Sequence, residues 1–332
     1  MVARMTTTQE TAAPTDEAGS VTDLGAVRAP RRPALSPSRA GDFMQCPLLF
    51  RYRVVDRLPE PPSSAAARGT LVHSVLERLY DAPLGQRTRE AALALLPGEW
   101  DRLLEAEPRY GELFAPGGDA AGSTPEGWLD GAGRLLGTYF TLEDPNRLEP
   151  EARELRVEHQ LADGGPLLRG IVDRLDVAPD GALRVVDYKT GKSPRPGFES
   201  SALFQMRFYG LVLWRERGVL PKMLQLVYLG DGQVLRAEPH ERELEVTEQK
   251  VRSVWQAVER AARTGEFTPR RSRLCGWCAH QAVCPEFGGT PPALDPALVA
   301  ERLGVDVGTS PAGREPARPL LPVAGASSEP DA

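Results

Sequence analysis

Apolar positions change period along this chain, and the changes mark out its architecture. Leu71, Val72, Val75, Leu76 and Leu79 recur at intervals of three and four, which predicts a helix over about 64–81 with one apolar stripe. Upstream, Ser36 or Ser38 can cap a short helix running toward Cys46. Residues 86–145 read as mostly helical, interrupted by PGGDAAGSTPEG. From 154 the period becomes two: Leu155, Val157, His159 and Leu161 alternate with Arg156, Glu158 and Gln160. Two further β-rich runs follow, RGIVDRLDV and ALRVVDYK, separated by Ala-Pro-Asp-Gly. A helix over about 200–217 ends at Gly218, and a second hairpin pairs KMLQLVYL with QVLRAEP around Asp231-Gly232. Val251, Val254, Trp255, Val258 and Ala262 then mark an amphipathic helix. Helices, a strand-rich centre with one inserted helix, then a closing helix predict an α/β core flanked by helical layers.

Composition narrows this picture. The 332 residues are 41% hydrophobic, enough for one large or two modest domains and incompatible with disorder throughout. Gly 32 and Pro 31 show no fixed period, which excludes collagen-like and repeat architectures and sends the surplus to loops and tails. Residues 1–34 and 289–332 are predicted to be disordered tails around a folded body at 35–288. The start lacks an apolar signal region, and the longest apolar stretch, Phe208 to Trp214, is far short of the roughly 20 residues that cross a bilayer. These features predict a cytoplasmic, soluble protein that does not enter a membrane. A net charge of −6 weighs against a protein that wraps nucleic acid, yet 289–332 carries much of the acidic excess. Arg263, Arg270, Arg271 and Arg273 form a basic stretch beside Glu266 alone. Lys189, Lys192, Lys222 and Lys250 are the only lysines, so each compact amine stands out among the arginines.

The segment from Gly170 to Lys189 carries the candidate chemistry. Pro179-Asp180-Gly181 suits a three-residue hairpin loop with glycine in the left-handed position, and in that register paired residue numbers sum to 360. Asp176 then faces Arg184, Leu175 faces Val185, and Asp173 faces Asp187. Two opposed carboxylates repel unless something cancels their charge. A divalent cation would do so, and oxygen ligands on rigid strands suit Mg²⁺ or Mn²⁺, which generate hydroxide from bound water. Lys189 lies two positions beyond Asp187 on the same strand face, where an ammonium can orient a water or stabilise developing charge. Spacing alone leaves two readings open, this metal site and a solvated hairpin face with an Asp/Lys pair.

With its flanking motifs the segment resembles the PD-(D/E)XK nuclease superfamily, in the branch of the RecB-family exonucleases. Gly170-x-x-Asp173-Arg-x-Asp176 and Asp187-Tyr-Lys189-Thr-Gly match its acidic residues and lysine, with Val172 where the superfamily name has proline. Gly69-x-x-x-His73 resembles the family's helix with a metal-binding histidine, and Gln205-x-x-x-Tyr209 its Q-x-x-x-Y motif, whose spacing puts both side chains on one helical face. The resemblance implies a restriction-endonuclease-like core, a central mixed sheet with a helical insertion, and metal-dependent hydrolysis of DNA in repair, recombination or end processing, with a separate helicase subunit as a conceivable partner. It further implies that His73, Asp173, Asp187 and the Tyr188 carbonyl hold the metal, that Lys189 assists the water, and that Gln205 and Tyr209 position the strand or support the site. Glu158 reads as a solvent-facing glutamate outside the site.

Cys275, Cys278 and Cys284 form a tight cluster, and Cys46 is the remaining thiol. In a cytosolic chain this spacing argues for a metal centre rather than disulfides. The pattern resembles the iron-sulfur nucleases of the same superfamily, which implies a structural [4Fe-4S] cluster on these four thiolates; a Zn²⁺ site with the same ligands is the alternative. His280 reads as an exposed loop histidine or a spare ligand. Trp277 and Phe287 read as loop packing or, alternatively, as stacking surfaces for bases, and Arg270, Arg271 and Arg273 as phosphate contacts or a solvated charge run. Gly191-Lys192-Ser193 lacks the earlier glycine of a phosphate-binding loop, so no ATPase motor is encoded. The expected protein is a metal-dependent DNA nuclease; the competing expectation is a noncatalytic accessory subunit that binds DNA.

Overall fold

The structure, a computed structural model, describes residues 32–305 except 196 and 198. Most of the expected N-terminal tail therefore lies outside the described residues, but Ala34–Leu35 forms a short strand, β1. Helix α1 (Pro37–Gln45) opens with Ser36, whose side chain accepts from the Arg39 N–H, and with proline in the first turn. Helix α2 (Pro47–Phe50) runs into a π-helical turn, Arg51–Asp56. Helices α3 (Ser64–Leu79), α4 (Arg89–Ala106) and α5 (Pro125–Leu142) follow, capped by Ser63, Thr88 and Thr124. The strand-rich centre comprises β2 (Ala152–Gln160), β3 (Leu167–Val177) and β4 (Leu183–Lys189), then α6 (Ser200–Arg217), β5 (Met223–Tyr228) and β6 (Gln233–Ala237). Helix α7 (Glu241–Thr264) precedes the cysteine loop and α8 (Pro296–Leu303).

The sheet is mixed. Its order is β1-β3-β4-β5-β6, with β2 also on β3; β1 and β3 are parallel, as are β4 and β5, and the other pairs are antiparallel. Near its turn the hairpin register is the expected one, with Leu175 paired to Val185, Asp176 to Arg184, and Gly181 at φ 83°; the third expected pair, Asp173 with Asp187, is not formed, because the β3–β4 ladder ends at Arg174–Val186. β4 pairs β3 only over 174–177, and β1 pairs it only at 167 and 168. Residues 169–173 of β3 therefore have neither partner, and the sheet forks there.

Two apolar clusters sandwich the sheet. One joins α1, α6, α7 and α8 to Val172, Leu175 and Val185; the other packs α3, α4 and α5 against Val186, Tyr188 and Val227. This is the α/β arrangement with flanking helical layers that the pattern predicts. The C-terminal boundary differs. Asp295 caps α8, Gly304 ends it in the left-handed region, and Val299, Leu303 and Val305 are buried in the first cluster, so packing continues past 288. No described helix is long and apolar enough to cross a membrane.

Candidate active site and cysteine cluster

The fork sets the position of the acidic residues. Regular strand alternation slips there. Val157 and Leu155 pack into the first cluster, as does Ala152, three positions before Leu155; on β3, Val172 and Leu175 do the same. The register pairs Arg153 with Arg174 and Leu155 with Val172, but records no pair between Glu154 and Asp173. Glu154 adopts φ 45°, a left-handed conformation that costs a non-glycine residue on the order of 1–3 kcal/mol. The result is that His73 on α3, Glu154 on β2 and Asp173 on β3 each offer a ligand atom, all within 4.8 Å of one another.

Asp173 Oδ2 accepts a hydrogen bond from the Tyr188 N–H (2.7 Å) and lies 3.5 Å from His73 Nδ1. His73 Nε2 lies 2.9 Å from the Tyr188 carbonyl oxygen. Asp187 is buried, 2% exposed; Lys189 Nζ stands 2.6 Å from its Oδ2, and Gln205 Nε2 donates to its Oδ1 at 2.9 Å. Gln205 closes the set, accepting from Lys189 Nζ (3.0 Å) at Oε1 and donating from Nε2 to the Tyr209 hydroxyl (3.2 Å). Tyr209 in turn packs so closely on Gly170 that a Cβ there would sit 2.5 Å from its ring. The structure thus brings together His73, Asp173, Asp187, Tyr188, Lys189, Gln205 and Tyr209. Glu158 is exposed, and the carboxylate that sequence reasoning missed is Glu154.

The electrostatics are those of a crowded anionic site. Burial and the Asp173 charge raise Asp187 to about 6 against the pull of Lys189. Burial and the same Asp173 charge raise Glu154 to about 7. Burial would lower His73, but its hydrogen bond to Asp173 and the charges of Asp173, Asp187 and Glu154 carry it up to about 9. Carboxylates with an imidazole and a strand carbonyl form an oxygen-rich donor set that fits Mg²⁺ or Mn²⁺. A prediction follows from the signs. The raised carboxyls favour the protonated fold, so ionising Asp187 and Glu154 weakens the metal-free protein as pH rises from about 4 to 7. The raised His73 contributes stability that is complete below its usual 6.5 and gone above about 9, which adds to the same decline. Thermal melting should therefore show Mg²⁺ raising the melting temperature more at pH 8 than at pH 5; equal shifts would contradict a site built on these groups.

Behind this site, Arg174 is 1% exposed and holds β4 from the opposite face. It pairs with Glu143 (2.7 Å) and Asp176 (3.0 Å), donates to the hydroxyls of Tyr80 and Tyr188, and lies over both rings. Asp176 also holds Arg184, at 2.8 Å, the cross-strand ion pair that the hairpin register predicts.

Cys46, Cys275, Cys278 and Cys284 line one small cavity between α1 and the C-terminal loop. The Arg270 N–H reaches Cys46 Sγ at 3.4 Å and the Ser272 N–H reaches Cys275 Sγ at 3.3 Å. Among the described residues no three of the four sulfurs lie within 4.8 Å of one another. His280 is not an exposed loop histidine: it is 4% exposed, pairs with Glu60 at 2.9 Å, and packs edge-on to Tyr52. That contact turns it to a carboxylate outside the cysteine set. Trp277 does not pack the loop either, being 82% exposed, and Phe287 is half-exposed beneath the Arg271 guanidinium.

A family model described as the PD-(D/E)XK nuclease superfamily matches residues 34–285. The chain is similar to the Gene 69 protein of Mycobacterium phage L5, 22% identical over 296 residues that span 77% of this chain and 97% of that protein. It is also similar to the crystal structure of a candidate exonuclease from Eubacterium rectale, with 15% identity and a TM-score of 0.49 over 76% of this chain and 89% of that one.

Proposed function

The chain belongs to the PD-(D/E)XK nuclease superfamily, and from that premise we propose that it is a divalent-metal-dependent deoxyribonuclease of the RecB-family exonuclease branch, acting on DNA ends in repair or recombination. The observation that carries the reading is the buried Asp187, held between the charge of Asp173 on one side and the Lys189–Gln205 pair on the other. A scaffold has no use for two carboxylates in mutual repulsion, whereas a metal site requires them.

His73, Asp173, Asp187 and the Tyr188 carbonyl would hold the ion, with Glu154 as a further carboxylate beside His73 and Asp173. When bound, the ion supplies a water of lowered pKa and charge neutralisation at the scissile phosphate. Lys189 keeps its ammonium fixed by an ion pair with Asp187 and a hydrogen bond to Gln205 Oε1, and a further N–H would donate to the attacking water or to a phosphate oxygen. Gln205 fixes that aim by spending its amide N–H groups on Asp187 and Tyr209. Digestion of end-labelled linear and closed circular DNA with Mg²⁺, Mn²⁺ or EDTA tests the function. Loss of linear substrate only, and only with metal, is the expected result; DNA binding without cleavage in any metal would instead make the chain a noncatalytic accessory subunit.

The four cysteines are proposed to hold a structural [4Fe-4S] cluster. Support comes from their shared cavity and from N–H groups directed at Cys46 and Cys275. Freshly purified protein should be brown, with broad visible absorbance that Cys284→Ser abolishes. Colourless protein carrying one zinc per chain would replace the cluster with the alternative metal.

A further inference from the structure

Two depressions on the surface meet at the fork. One is lined by His73, Glu154, Arg156 and Ile171; the other, larger, runs from Arg156 and Ile171 past Arg169 to Gln205, Tyr209 and the start of α1. They share Arg156 and Ile171, which are register partners on β2 and β3, so the larger groove is continuous with the candidate metal site. Arg156 and Arg169 are exposed, and among the described residues neither has an ion-pair or hydrogen-bond partner. Glu158 is the register partner of Arg169 yet forms no ion pair with it. The neighbouring strand arginines are all paired: Arg153 with Asp81, Arg174 with Glu143 and Asp176, Arg184 with Asp176. Ile171, between the two free cations, is 45% exposed, an apolar surface with no protein cover.

Resting on the nuclease reading above, the geometry points to this groove as the track of a single DNA strand, with Arg156 and Arg169 holding backbone phosphates on either side of Ile171. Unpaired guanidiniums in a protein of net charge −6 are places where phosphate can bind without displacing a carboxylate. A single strand is favoured over a duplex because Ile171 lies between the cations: an unpaired strand presents base faces and sugars to an apolar side chain, whereas a duplex turns its bases inward and offers phosphates alone. Arg169 lies four residues along β3 from Asp173, on the order of 13 Å at strand rise, which lets the track accept the nucleotides adjoining the scissile bond.

Fluorescence anisotropy with a labelled 30-nucleotide single strand and its blunt duplex tests this, using full-length protein carrying Asp187→Asn in Mg²⁺ so that nothing is cut. The single strand should bind more tightly than the duplex. Arg156→Gln and Arg169→Gln should each weaken single-strand binding about tenfold and lower the slope of log affinity against log salt by about 0.7. Arg242→Gln, on α7 away from the groove, should leave both unchanged. Native affinity and slope in both groove variants, or tighter binding of the duplex, would overturn the track. Hydrolysis of bis(p-nitrophenyl) phosphate by the native protein with Mn²⁺ reads the nuclease assignment separately: its absence would sink that reading, while the track is judged on binding alone.

Discussion

Asp187→Asn should lower metal-dependent DNA cleavage by about 10³-fold while leaving the fold at least as stable as before. The substitution keeps the shape and removes the charge. Asparagine Oδ1 can still accept from Gln205, so the local packing survives, but the anion that would face the metal and that holds the Lys189 ammonium at 2.6 Å is gone. Because burial and Asp173 disfavour the charged form of Asp187, its loss relieves repulsion in the metal-free protein. Activity and stability should therefore move apart: cleavage collapses, and the melting temperature without metal stays level or rises. A variant that retains a tenth or more of native cleavage would remove Asp187 from the chemistry, and a sharp fall in melting temperature would make it structural.

The second large effect is on stability. Arg174→Met should destabilise the protein by about 3–5 kcal/mol, because it removes the ion-pair partner of the nearly buried Glu143 and leaves Asp176 to Arg184 alone. For a chain of this size that lowers the melting temperature by roughly 10 °C. Methionine fills most of the volume, so the cost lies chiefly in the unpaired Glu143 carboxylate. Adding Glu143→Gln, which keeps an acceptor for Gln225 Nε2, should recover part of the loss. Denaturant unfolding of the two variants measures both quantities, and a change below about 1 kcal/mol for Arg174→Met would show that the network carries little.

The sequence showed the hairpin and the motif helices clearly because their signals are local. Gly181 at the turn sets the register, the register sets Asp176 against Arg184, and the spacing of Gln205 and Tyr209 suffices to join them on α6. Glu154 was hidden for the opposite reason. In strict alternation it is equivalent to Glu158, and what separates them is a left-handed backbone and a lost ladder pair at the fork, where α3 brings His73 to the sheet. No pattern within the strand encodes that slip. The segment after 288 was misjudged on composition: proline and alanine suggested a tail, although Asp295-Pro296 and Gly304 are ordinary start and stop signals for a short helix. His280 is buried rather than exposed because burial in a loop depends on distant partners, here Glu60 and Tyr52 from the other end of the chain.

That last contact is one of several that tie opposite ends of the fold. The Arg51 guanidinium donates to the Pro292 carbonyl, 241 residues away, and Arg302 donates to that of Val55, across 247. A chain emerging from the ribosome makes its first helices long before their partners exist. The earliest segment must stay incompletely packed until nearly the whole described sequence has been synthesised, so this protein is expected to complete its fold only after translation has passed residue 302.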